Sequence, residues 1–510
     1  MKQLQELAGV PSRATVRQIL KGNGQVKATE SLTHKLYDLV RKGDLDDDGI
    51  VKKLYGNNRT PSYGPYRTLK TRLRHILVQA ILLDEVEMPK FSTYNDAYKH
   101  GYRQLAIARI LISQRAYTSA REIGRYTYNQ VKPFEIVSIL KDVTDLLSSL
   151  YLGVGYNEEK FNEFDALCEY YTEAEFAVAK LQRYMRRIRN GIYAHRDSPY
   201  EIGQQANKYF MECYFMIEKY PNVSLIQSLL ADLEVTGCML RGEYIEAISA
   251  SERGSARLSK CHGVSRNNLG FLALNSVECT LRIGDFSLGL EQISKAKEMI
   301  PAQSINGIKL LELSIRLGLL TGEYKYSYLQ LTSLDRKFLN RVFTPRHIEY
   351  WRIIEAYVHL LISAGKIPID NSDPKLPKFR LNRFLNNVPT YARNKRGMNI
   401  QILIIQAMFL IIERKYSLAI DRVESLERYC SRYLKKDENF RNNCFFKLLT
   451  TAINANFNRT ATKRKSAVIY QKMISADELK SHNVLEWIPY EKLWEILLDS
   501  LVEDRKMSVA

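Results

Sequence analysis

Carboxylates are the scarce charge in this chain. Its 56 Asp and Glu stand against 75 Lys and Arg, a formal net charge of +19. Such an excess favours a polyanionic partner, whether nucleic acid, an acidic protein or an anionic membrane surface, and says nothing about fold. Helix breakers are scarce as well. Fourteen Pro and 25 Gly in 510 residues leave room for long uninterrupted helices. Strand grammar is missing: no series of alternating Val, Ile and Thr runs is bounded by Asn-Gly or Asp-Gly turns. That argues against a sandwich, a barrel or a βαβ fold.

The cysteines Cys168, Cys213, Cys238, Cys261, Cys279, Cys430 and Cys444 are odd in number and form no C-x-x-C pair. This fits buried thiols in a reducing compartment, and neither a disulfide framework nor a zinc site. The first residues, Met1-Lys-Gln-Leu-Gln-Glu-Leu, lack the apolar core of a signal peptide. The longest apolar run, Ile402 to Ile412, is interrupted by Gln406 and is too short to span a bilayer. The expectation is a soluble cytoplasmic protein with no membrane insertion. No H-E-x-x-H, G-x-S-x-G or P-loop occurs, so no metal, cofactor or enzyme activity is expected. An apolar fraction of 45% with 26% charged residues argues against disorder over most of the chain.

What the chain does have is a recurring local grammar. It reads Arg241-Gly-Glu-Tyr-Ile-Glu-Ala247, Ile283-Gly-Asp-Phe-Ser-Leu-Gly289, Thr321-Gly-Glu-Tyr-Lys-Tyr-Ser327 and Arg414-Lys-Tyr-Ser-Leu-Ala419, with a weaker copy at Arg115-Ala-Tyr-Thr-Ser-Ala120. Each follows an apolar, helix-period run and precedes an amphipathic segment, so each is read as the turn of a helical hairpin. In the strongest copy Phe286 is followed by Gly289, Ile293, Ala296 and Pro301, at offsets of 3, 7, 10 and 15. This resembles the tetratricopeptide repeat, in which small residues let two helices approach and an aromatic fills the gap near the turn. The aromatic-to-aromatic spacings of 42 (Tyr244 to Phe286) and 38 (Phe286 to Tyr324) exceed the standard repeat of about 34.

The resemblance implies an all-α fold, a right-handed α-solenoid of about a dozen stacked hairpins or fewer. The expected organisation is an N-terminal helical cap region over 1–90, the solenoid over 91–366, a basic loop-rich insertion over 367–400 that carries Pro368, Pro374, Pro377 and Pro389, and C-terminal helical hairpins over 401–510.

Several motifs carry candidate chemistry. Arg189-Asn-Gly-Ile-Tyr-Ala-His195 resembles the Arg-Asn…His signature of the HEPN ribonucleases. That resemblance implies Arg189 as a phosphate clamp and His195 as the acid/base of RNA cleavage. Leu4 to Gly22 resembles the helix-turn-helix of bacterial repressors of the lac type, with Ala8-Gly9-Val10 in the turn and Thr15-Val16 opening the second helix. Pro11 makes the turn one residue longer than in that family, an insertion that would rotate the second helix by about 100°. Asp44-Leu-Asp-Asp-Asp-Gly49 imitates the start of a calcium loop, but Tyr55 stands where the bidentate acid belongs. It reads as an acidic helix N-terminus. His75, His262 and His359 are isolated and read as structural.

Three windows contain no carboxylate at all. Residues 49–83 carry Arg67, Lys70, Arg72 and Arg74 among their cations. Residues 374–412 carry Lys375, Lys378, Arg380, Arg383, Arg393, Lys395 and Arg396 among aromatics. Residues 439–476 carry Arg441, Lys447, Arg459, Lys463, Arg464, Lys465 and Lys472. The leading expectation is a non-enzymatic interaction protein. Its repeat groove and basic loops, above all the middle window, would hold a peptide or helix of an acidic protein partner. The alternatives are a nucleic-acid-associated regulator using the N-terminus or the basic windows, and a HEPN-like ribonuclease.

Overall fold

A computed structural model describes residues 1–22, 31–83, 93–153, 155–194, 198–264, 266–343, 345–377, 379–386, 398–433, 440–475 and 486–502. Among them every regular element is a helix. The sole β-type pairing is an isolated bridge between Asn458 and Val502. The chain divides into two compact units, Met1–Tyr171 and Thr172–Ala510.

The first unit opens with α1 (Lys2–Gly9), α2 (Arg13–Gly22), α3 (Leu32–Lys42), α4 (Asp47–Tyr55) and α5 (Gly64–Leu83). These five share one core of Leu4, Ala8, Val16, Leu36, Tyr37, Ile50, Leu73 and Leu77, with further apolar neighbours. Capping sets the boundaries. Ser31 accepts from the His34 amide at the start of α3, and Gly43 ends that helix at φ 72°. The supposed calcium loop is the start of α4: Asp46 accepts from the Gly49 amide, with Asp47 and Asp48 in the first turn where the helix dipole favours anions. Next come α6 (Tyr94–Ser113), α7 (Tyr117–Val131), α8 (Val137–Leu152) and α9 (Glu158–Ala194). The unit boundary falls within α9.

The second unit continues through α10 (Pro199–Cys213), α11 (Met216–Lys219), α12 (Ser224–Arg241), α13 (Tyr244–Leu258), α14 (Arg266–Ile283), α15 (Phe286–Met299), α16 (Ile305–Thr321) and α17 (Tyr324–Thr332). From α12 to α16 each helix packs on its successor. In addition α12 packs on α14, and α14 on α16. Neighbour plus next-but-one contact is the pattern of helical hairpins laid side by side. Beyond them lie α18 (Arg336–Val342), α19 (Pro345–Ser363), α20 (Leu381–Asn386), α21 (Met398–Ile412), α22 (Tyr416–Tyr433), α23 (Phe440–Asn454), α24 (Arg459–Ile474) and α25 (Tyr490–Ser500). Here α25 turns back against α21 and α23. Trp487, Tyr490 and Trp494 thereby enter the same core as Trp351, Tyr357 and Phe409.

The five turns read from the sequence share one backbone. Two residues before each aromatic the chain is left-handed: Gly242 at φ 80°, Gly284 at 77°, Gly322 at 93°, Arg414 at 60° and Arg115 at 62°. A helix that ends on such a residue can turn back its last amides onto its own carbonyls. The Glu243 amide donates to the Cys238 carbonyl at 3.0 Å, Ala116 to Leu111 at 2.9 Å and Lys415 to Leu410 at 2.8 Å. The sequence reading overlooked a further copy of this turn. Gly365 ends α19 at φ 68°, and the Lys366 amide donates to Leu361 at 2.9 Å. Its aromatic position is taken by Ile367, so the motif was not visible in residue types.

Three residues after each aromatic stands a small, buried residue: Ala120, Ala247, Gly289, Ser327 and Ala419. Gly289 shows why. A Cβ added there would lie 2.3 Å from Leu317 Cδ2 and 2.9 Å from Cδ1. Leu317 is itself fully buried, so the overlap has nowhere to relax. Gly289→Ala is expected to cost about 1–3 kcal/mol, lowering the thermal unfolding midpoint of the second unit. An unchanged midpoint would show that α15 and α16 have slack the packing does not reveal.

Five of the six described cysteines fit the sequence reading in burial, while Cys168 is only half-buried. Cys213, Cys238, Cys261, Cys279 and Cys444 are buried and form no disulfide. Burial, with Glu278 nearby, pushes the Cys279 thiol up to about 12. The side chain of Cys430 lies outside the described residues. No helix among the described residues is long and apolar enough to cross a membrane.

Candidate nucleic-acid interface on the N-terminal helices

The helix-turn-helix resemblance is tested by where α2 begins. Ser12 stands just before it, and its Oγ accepts from the Thr15 amide at 3.1 Å. The extra residue therefore sits in the turn as buried Pro11, before the helix and not within it. Val16 is fully buried against the α1–α5 core. The opposite side of α2 exposes Arg13, Ala14, Arg17 and Gln18. Arg13 and Arg17 are one helical turn apart, so both guanidinium groups leave from one face. The sequence reading did not single out these residues. The available signal was the Ser12 cap, which fixes the phase of everything that follows it.

Against α2 packs α5. Its apolar side buries Tyr66, Leu69, Leu73, Ile76, Leu77 and Ala80. Its outer side exposes Arg67, Thr68, Thr71, Arg72, Arg74 and His75. Two clefts run along it and share Arg67 and Thr71. One continues along α5 past Arg72 and His75 to Gln79, and the other past Lys70 and Arg74 to Met1 and Gln3. No carboxylate lines either cleft. Across residues 1–83, fifteen Lys and Arg stand against seven Asp and Glu.

The structure sorts the cations of this window into spent and available. Lys70 is spent: its Nζ lies 3.1 Å from Asp47 Oδ2, and it also sits 4.7 Å from the centre of the Tyr66 ring. Tyr66 donates its hydroxyl to Asp47 Oδ1 at 2.7 Å, and the chain's N-terminal ammonium lies 3.8 Å from Oδ2. Burial alone would raise the Asp47 carboxyl, but Tyr66 and Lys70 outweigh it and hold it below the usual range. The reading of Lys70 as uncompensated is thus corrected: its partner lies just outside the carboxylate-free window in sequence and beside it in space. Arg74 donates to Gln3 Oε1 at 3.1 Å, a neutral partner that leaves its charge in place. Arg67 and Arg72 make no ion pair among the described residues.

The other candidates are placed as follows. Arg189 donates to Asp232 Oδ2 at 3.0 Å, and Thr236 donates to the other oxygen at 3.2 Å. Burial raises the Asp232 carboxyl, against the pull of Arg189. His195 lies outside the described residues. In the middle window Lys375 and Arg380 are exposed. Lys378, Arg393, Lys395 and Arg396 lie outside the described residues, as does the side chain of Arg383 on α20. The loop before Lys375 is held down. Lys325 pairs with Asp373 and donates to the Pro368 carbonyl at 2.7 Å, and the Tyr328 hydroxyl donates to the Pro374 carbonyl at 2.7 Å. His359 stacks on Phe379 at 4.8 Å, and burial lowers it to about 4, which suits a neutral packing residue. Two cations of the third window are corrected. Arg441 is buried between Glu486 and Glu491, and Arg459 lies 2.8 Å from Asp499. Among the described residues no group of three or more His, Cys, Asp or Glu could hold a metal ion. Comparison with known proteins finds no family model, no curated protein and no solved structure that matches this chain.

Proposed function

We propose that this chain is a non-enzymatic binding protein whose α1–α5 body holds duplex nucleic acid. The observation that carries the reading is the outer side of α2. Arg13, Arg17 and Gln18 project from a helix whose opposite side is locked into a core by Val16. Arg and Gln are the side chains that pair with guanine and adenine edges in a major groove, and a groove of that width admits one helix. The α5 cations without a carboxylate partner would supply phosphate contacts, which position the body without reading sequence. The test is binding of the full chain to a mixed-sequence duplex of about 30 base pairs as salt is raised from about 50 to 200 mM. Steep weakening with salt is expected. No binding at the lowest salt would end the reading.

A second reading concerns the second unit, and the helix order favours it. Hairpins laid side by side form extended surfaces that hold peptides or helices. On this reading the stack is a right-handed tetratricopeptide-like solenoid, and the loop held by Lys325 and Tyr328 presents Lys375 and Arg380 to an acidic protein partner. Lys375→Ala/Arg380→Ala should weaken binding of a poly-glutamate peptide several-fold at about 50 mM salt. Equal binding by variant and parent would remove the loop from the interface.

A further inference from the structure

Once Arg441 and Arg459 are assigned to their carboxylates, the cations left in the third basic window are the exposed Lys447 on α23 and a group of four on α24. α24 contains five cations and no carboxylate. Thr462, Ser466 and Met473 form its buried side. Lys463, Arg464, Lys465 and Lys472 are exposed, as are Thr460 and Gln471 between them. None of these four cations makes an ion pair among the described residues, although Lys465 spends one of its three donors on the Asn454 carbonyl at 3.2 Å. At 1.5 Å per residue, Lys463 to Lys472 spans about 13 Å, a length of duplex that carries roughly eight phosphates.

We infer that the outer side of α24 is a second nucleic-acid contact, one that touches phosphates and reads no bases. Composition decides between a polynucleotide and an acidic protein. The core of a protein interface is depleted in Lys and relies on aromatic or Arg anchors in pockets. The α24 surface has Lys as its main component, no exposed aromatic, and only Val468 and Ile474 as exposed large apolar side chains. Lys acts on phosphate as a point charge, and hydroxyl and amide side chains such as Thr460 and Gln471 are ordinary phosphate donors. The partner class is shared with the reading of α1–α5, but the residues are separate, so the two stand or fall apart.

The experiment uses the full chain and the same duplex, measuring affinity against salt for the parent, for Arg13→Ala/Arg17→Ala and for Lys463→Gln/Arg464→Gln/Lys465→Gln/Lys472→Gln. All six positions are exposed, and unchanged circular dichroism and melting confirm that each variant is folded. The α24 variant should flatten the slope of log affinity against log salt by about 2–4, since each lost phosphate contact removes about 0.9. A flattened slope in that variant supports the inference whatever the α2 variant does. A duplex-binding protein whose slope ignores the α24 changes overturns the inference and leaves α1–α5 standing if the α2 variant weakens binding. Loss of poly-glutamate binding with an intact duplex slope assigns α24 to an acidic protein instead, and no duplex binding by the parent removes both sites.

Discussion

Arg441→Ala should destabilise the second unit by about 3–5 kcal/mol, the largest single effect expected in this chain. Arg441 is only 3% exposed and lies at the start of α23. Its Nη2 donates to Glu486 Oε1 at 2.7 Å and to both Glu491 oxygens at 2.8 and 2.9 Å; its Nε donates to Glu486 Oε2 at 3.1 Å. A further donor, Nη1, reaches the Met473 carbonyl at 2.9 Å. One guanidinium thus ties α23 to the end of α24 and to the start of α25. Removing it leaves two carboxylates facing each other in a half-dry site. Lys in its place would keep the charge but lose the fork, and should recover only part of the loss.

The loss should depend on pH. Burial pushes the Glu486 carboxyl above its ordinary value even with Arg441 pulling the other way. Without Arg441 that rise is larger. A carboxyl whose folded pKa exceeds its unfolded one gains stability by binding a proton, so its deficit shrinks as pH falls and widens as pH rises. The gap between Arg441→Ala and the parent should therefore be smaller at pH 5 than at pH 8 in denaturant melts. A deficit under about 1 kcal/mol, or one that narrows with rising pH, would mean that Glu486 and Glu491 are solvated well enough to do without their cation.

Duplex affinity should fall roughly 10- to 100-fold at about 100 mM salt in Arg13→Ala/Arg17→Ala. Each arginine is expected to make either a base-edge pair or a charge-assisted phosphate contact, and two such losses together amount to about 1.4–2.8 kcal/mol. Both side chains are exposed, so stability should hold. Gln18→Ala should alter preference among duplex sequences more than overall affinity, because a neutral amide contributes little to phosphate attraction. Lys260→Ala, an exposed cation outside the proposed contacts, is the control and should leave affinity unchanged. Parent-like binding by the double variant would place the duplex elsewhere on the protein.

The turns were legible because their cause is local. A glycine followed two residues later by an aromatic, then a small residue three further on, determines a left-handed helix end and a close helix contact with no help from the rest of the chain. Phe286, Gly289 and Ala296 could be picked out in the sequence for that reason. Where the residue type departs from the local rule the signal fades. Arg115 and Arg414 adopt the left-handed turn without glycine, and Gly365 does so without an aromatic after it. The N-terminal element was only half legible. Its added Pro11 could be counted, but whether the insertion lies in the turn or in the helix depends on the Ser12 cap and on Val16 reaching the core.

The sequence by itself determined that this fold is all-α and where five of its hairpins turn, since helix period, end caps and small-residue spacing are short-range properties. Only the tertiary structure decided which positive charges remain available to a partner. Lys70 meets Asp47 across 23 residues, Arg459 meets Asp499 across 40, and Arg441 meets Glu486 across 45. Coulomb attraction depends on distance in space, so a carboxylate-free stretch of chain can be neutralised from outside it. Arg67, Arg72 and the outer side of α24 differ from their neighbours because no carboxylate among the described residues pairs with them.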